Sequence, residues 1–95
     1  MQAQRSSTTN DAHRNEAQDL RDQSIVLSHV LALHPTHLTV PGLVRELTAG
    51  AAEFAEDDGF ERAVRDLTAA GLLACPAGVV TPTRAALHVD RLGLL

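Results

Sequence analysis

A chain of 95 residues with 44% hydrophobic side chains holds one small folded domain, and its two aromatic residues, Phe54 and Phe60, leave a core built from Leu, Val and Ala. A formal charge of −4 confers no general attraction for phosphate, so any nucleic-acid contact must depend on where the eight arginines stand, not on their number. A single cysteine, Cys75, excludes an internal disulfide, no apolar run nears the roughly 20 residues of a membrane span, and the polar start MQAQRSSTTN lacks a secretory core, so a cytoplasmic protein is expected.

Residues 1–17 are rich in Gln, Ser, Thr and Asn, with Arg5 and Arg14 balanced by Asp11 and Glu16. They read as a flexible polar arm ahead of a domain covering 18–95. A first helix is expected from Asp19, or slightly earlier, to Leu33, where His34-Pro35 ends it because a residue before proline is driven out of the helical region. Ile25, Val26, Leu27, Val30, Leu31 and Leu33 cover more of that helix than one core-facing stripe requires. The surplus suits a helix shared with a second copy, and a homodimer is expected.

Leu38-Thr39 can form a very short strand lying against a later hairpin. Thr39 is suited to cap a second helix over about Val40–Thr48, with Pro41 in its first turn, where a missing N–H costs little. Leu43, Val44 and Leu47 form the buried stripe, and Gly50 is a stop. The connection from Ala51 to Gly59 exceeds the 3–4-residue turn of an ordinary helix-turn-helix. It carries Glu53, Glu56, Asp57 and Asp58 around one anchoring phenylalanine, Phe54, and either aspartate can cap the helix that follows.

That third helix, about Gly59 to Ala70, buries Phe60, Ala63, Val64, Leu67 and Ala70 at helical spacing and stops at Gly71, which tolerates the left-handed conformation. Leu72–Cys75 and Val79–Thr81 read as strands of a hairpin turning at Pro76, Ala77 and Gly78. Thr81-Pro82-Thr83 then restarts the chain as a last helix over Arg84–Leu92, with a threonine as its cap and Pro82 suited to its first turn. The fold class is mainly α with a small β-hairpin.

Chemistry-bearing residues are few. His34 and His37 flank a proline, and neither they, His29 nor His88 is joined by a cysteine or carboxylate in ligand spacing, so no metal site is expected. There is no nucleophile elbow, no phosphate-cradling glycine loop and no H-E-x-x-H helix. Glu56, Asp57 and Asp58 have no pocket in so small a domain, and Cys75 has no neighbouring base to activate it. The expectation is a protein without catalysis and without a cofactor. The exposed face of the third helix presents Glu61, Arg62, Arg65, Asp66 and Thr68, and arginine at such a face can donate two hydrogen bonds to guanine O6 and N7. Arg62 and Arg65 are the leading candidates for base contact, with Thr68 beside them and Arg45 and Arg84 for the backbone. Acidic neighbours can instead neutralise these arginines on a solvated face.

The segments LTVPGLVREL, FERAVRDLTAAGLL and ACPAGVVTPTRAAL, in this order and spacing, resemble the winged helix-turn-helix superfamily across about residues 19–93, and AVRDLTAAGLL followed by VVTPTRAALHVDRL also resembles small uncharacterised winged-helix proteins of actinobacteria. The resemblance implies that Arg62 and Arg65 occupy the recognition helix and Ala77-Gly78 the wing tip. It implies a cytoplasmic transcriptional regulator that binds double-stranded DNA as a homodimer, with the 59–70 helix in the major groove. The alternative is a winged-helix module that docks another protein and does not bind DNA. Three departures bear on DNA contact: the long acidic connection, the uncharged wing tip and the net negative charge.

Overall fold

The chain's architecture is taken from a computed structural model that describes the backbone of residues 2–50 and 57–94, and side chains over 16–49 and 59–94. Four helices and three short strands follow the order α1 (Gln2–Leu33), β1 (Leu38–Thr39), α2 (Val40–Gly50), α3 (Asp57–Ala69), β2 (Leu73–Ala74), β3 (Val79–Pro82) and α4 (Arg84–Arg91). No helix among the described residues is long and apolar enough to cross a membrane.

Helix α1 begins at Gln2, well before the start expected near Asp19. No glycine or proline interrupts residues 2–33, and Ala12, Arg14, Glu16, Ala17 and Gln18 all favour helix, so the pattern of apolar residues marks where α1 packs and not where it begins. It ends at Leu33 ahead of the His34–Pro35 bond, which is cis. Helix α2 starts as expected: Thr39 Oγ1 accepts from the Gly42 N–H at 3.1 Å, and Pro41 sits harmlessly in the first turn. The expected anchoring by Phe54 and the acidic stretch at 51–56 lie outside the described residues, as do the side chains of Asp57 and Asp58.

The exit from α3 has a specific cause. Gly71 takes φ +85°, which lets its N–H reach Thr68 O at 3.1 Å while the Leu72 N–H reaches Leu67 O at 2.9 Å. These paired bonds satisfy the carbonyls left over at a helix C-terminus and deliver Leu72 back onto the core. The chain turns straight into β2, crosses a 3-10 turn at Pro76–Gly78 and returns as β3. The three strands form an antiparallel sheet in the order β1-β3-β2, with Leu38 opposite Val80 and Leu73 opposite Pro82. Pro82 therefore belongs to a strand, not to the first turn of α4. It is Thr83 that caps α4, accepting from the Ala86 N–H at 3.2 Å.

One core joins all these elements. Val26, Leu27 and Val30 of α1 meet Leu43, Val44 and Leu47 of α2 and Phe60, Ala63, Val64 and Leu67 of α3. Leu73, Val80 and Ala86 close it from the sheet and α4. Among the described residues, Leu43, Leu73, Val26 and Val80 are the largest side chains with almost no exposed surface. Among the described residues Phe60 is the one aromatic member, and the rest of this core is aliphatic as expected. Ile25 lies off the buried stripe of α1, 39% exposed, and Leu20, five residues earlier, is 61% exposed.

Candidate nucleic-acid interface

Burial of Phe60, Ala63, Val64 and Leu67 on one side of α3 dictates where its other residues point. At 100° per residue, Ala69 falls opposite the core with Arg62 and Arg65 about 30° to either side of that point, and all three are exposed. Arg62 and Asp66 turn towards α1. Glu61 turns towards α2, where it lines an open groove of about 430 Å³ with Pro41, Val44, Arg45, Thr48 and Ala49.

The α1 flank is occupied by side-chain contacts. Arg62 Nη1 donates to Asp19 Oδ1 at 3.1 Å, in a pair whose members are 51% and 34% exposed. One turn on, Gln23 Nε2 donates to Asp66 Oδ2 at a long 3.4 Å. Deeper along the same seam lies Asp22, which is 7% exposed and accepts from Gln18 Nε2 at 2.9 Å. Its Oδ2 stands 2.7 Å from where a Cβ on Gly59 would be, so this carboxylate lies against the first turn of α3. A negative group there meets the positive end of the helix dipole. Asp19, Asp22 and Gln23 thus set how α3 is held and which of its charges stay available.

The five candidate residues have different surroundings. Arg65 is exposed on the outer face, and no carboxylate pairs with it among the described residues. Arg62 is engaged by Asp19. The Thr68 hydroxyl donates back to Val64 O at 2.7 Å and lies 3.7 Å from Cys75 Sγ, so its proton is committed within α3. Arg45 stands in the α2–α3 groove with Glu61, and Arg84 opens α4 directly after the Thr83 cap. The structure therefore brings Arg45 and Glu61 into one groove, and Arg62 and Asp19 into one pair.

Hairpin and histidines add little charge. From Leu72 to Thr83 there is no Asp, Glu, Lys, Arg or His, and the tip at Pro76–Gly78 carries only Ala77, at φ +54°, between proline and glycine. His29 Nε2 is shielded from solvent and faces Glu46 Oε1 at 3.2 Å, near enough for an ion pair but not aligned as a hydrogen bond. The rings of His34 and His37 lie 6.5 Å apart on the surface. Among the described residues no three His, Cys, Asp or Glu side chains gather in a way that could hold a metal ion.

The contacts that α1 makes with α3 escaped the sequence reading, which treated the polar residues before Ile25 as the start of a helix and no more. Their signal was present: Asp19, Asp22 and Gln23 continue the Val26–Val30 stripe backwards by one and two turns. Polar residues on an apolar stripe mark the place where it leaves the core and meets another element's rim. No family model matches the chain, and comparisons with curated proteins and with solved structures give no match either.

Proposed function

We propose that the chain is a winged-helix DNA-binding protein, a transcriptional regulator acting as a homodimer, with α3 entering the major groove and Arg65 as its principal contact. The element order supports this reading: helix, strand and two helices followed by a hairpin whose second strand pairs with the first strand. In such an arrangement α3 is the helix that stands proud of the core beside the hairpin. The observation that carries the proposal is Arg65 itself, an exposed arginine opposite the buried stripe with no carboxylate partner among the described residues. Its guanidinium can read guanine bidentately or hold phosphate, and Arg45 and Arg84 supply further backbone contacts. The homodimer is supported by the outward-facing Leu20 and Ile25 of α1, and a monomer mass by light scattering would remove that part.

A second reading is favoured by a different observation. Helix α3 carries four carboxylates against two arginines, one of them already paired with Asp19, and the hairpin tip is uncharged. That surface suits a protein-docking module that never meets DNA. Binding to mixed-sequence duplex DNA at several salt concentrations separates the two. A DNA binder shows affinity that falls steeply with salt, and Arg65→Ala weakens it about tenfold near 50 mM salt and flattens the salt dependence by about one contact. Absence of binding at low salt selects the docking module.

A further inference from the structure

Arg62 and Arg65 stand on the same helix, yet among the described residues only Arg62 has a carboxylate partner. We propose that Asp19 is a built-in competitor for nucleic acid: it holds the Arg62 guanidinium on the α1 flank and withholds it from DNA, leaving Arg65 to make the contact. This inference rests on the DNA-binding reading above and deepens it by naming the residue that limits affinity.

The chemistry is a matter of like acceptors. A carboxylate presents the same pair of anionic oxygens to a guanidinium as a phosphate does, so Asp19 fills at Arg62 the place a backbone phosphate would take. The contact is direct, Nη1 to Oδ1 at 3.1 Å, and it spans two elements, so α1 and not a neighbour on α3 provides the carboxylate. Next to it the amide of Gln23 reaches Asp66, so the second α3 charge on this flank is also held by α1. Asp19 further places a negative charge beside the face that DNA would approach. An ion pair this exposed is weak, and removing one member leaves the other free to find a new partner.

The test is a set of four proteins: wild type, Asp19→Asn, Arg62→Ala and the double variant. Each is titrated against a fluorescent mixed-sequence duplex at salt concentrations upward of about 50 mM. Asparagine has nearly the shape of aspartate at a half-exposed position, and thermal melts followed by circular dichroism establish that each variant is folded; Asp19→Ala serves as the second variant. Asp19→Asn is expected to bind about two- to fivefold more tightly near 50 mM salt, the most that release from so exposed a pair gives, with a slope of log K against log salt steeper by about one. Arg62→Ala alone changes wild-type affinity less than about twofold, and in the double variant the gain disappears.

Wild-type binding that Asp19→Asn leaves unchanged overturns the inference while DNA binding itself stands. A gain that survives Arg62→Ala also overturns it, because the effect then comes from the charge of Asp19 on the whole field. Binding by Asp19→Asn where wild type binds nothing supports it. If no variant binds at low salt, the DNA-binding reading fails and this inference falls with it.

Discussion

Gly59 occupies the first turn of α3, where glycine is ordinarily a poor choice: alanine at a helical position gains about 0.5–1 kcal/mol through propensity alone. Here the space a Cβ would need is taken by Asp22 Oδ2, only 2.7 Å away. Asp22 is buried, short and held by Gln18, so it can yield only by leaving the helix terminus it faces. We therefore predict that Gly59→Ala destabilises the fold by up to about 1 kcal/mol, because the lost interaction with the helix N-terminus outweighs the propensity gain. In an Asp22→Ala background the sign reverses, and Gly59→Ala stabilises by up to about 1 kcal/mol. Urea denaturation of the four proteins measures this coupling. Equal effects of Gly59→Ala in both backgrounds would show that Asp22 does not govern this turn.

At the scale of elements, the segment from α3 to α4 is held by a few backbone devices. Gly71 reverses the chain at the end of α3, and Thr83, twelve residues later, returns to that reversal. Its hydroxyl donates to Gly71 O at 2.7 Å and the same oxygen accepts from the Ala86 N–H at 3.2 Å. One side chain thus closes the end of α3 and opens α4, and the Thr83 N–H bonds to Leu72 O at 3.1 Å beside it. Thr83→Ala is expected to cost about 1–2 kcal/mol, the loss of a cap and a second hydrogen bond, whereas Thr83→Ser keeps most of that stability. The urea midpoints of the two variants decide the matter; equal midpoints would show that the methyl-bearing side chain contributes packing and not capping. The stop at Gly71 and a threonine cap for α4 were legible in the sequence because each depends on a residue type with a local conformational reason, whereas the bonds from Thr83 back to Gly71 and Leu72 were not. Pro82 was misplaced by one element because Thr81-Pro82-Thr83 offers two threonines to a local rule. Only the pairing of Leu73 with Pro82 shows that the strand continues that far.

At the scale of the whole molecule, thirteen buried hydrophobic residues among those described make one core that every helix and the sheet share. A domain of this size has a net stability of about 5–14 kcal/mol, so the loss of one large enclosed side chain is a sizeable part of it. Leu43 has no exposed surface, and Leu43→Ala is expected to cost about 3–5 kcal/mol. A melting temperature lowered by less than a few degrees would mean that α2 relaxes into the cavity and that the core is looser than its burial implies.

The sequence by itself determined the order and kind of elements from α2 to α4, the aliphatic core and the caps at Thr39 and Gly71, because these depend on period, turn chemistry and residues a few positions apart. It also indicated which face of α3 is exposed, since burying Phe60, Val64 and Leu67 leaves the other side to solvent. What it could not decide is how that face divides. Arg62 and Arg65 are equivalent by composition and nearly so by helical position, and their difference is made by Asp19, 43 residues away from Arg62 along the chain. Such a contact depends on how α1 crosses α3, which is a result of packing. The strength and availability of a surface charge are set by what packing brings within a few ångströms of it, and for Arg62 that was decided only by the tertiary structure.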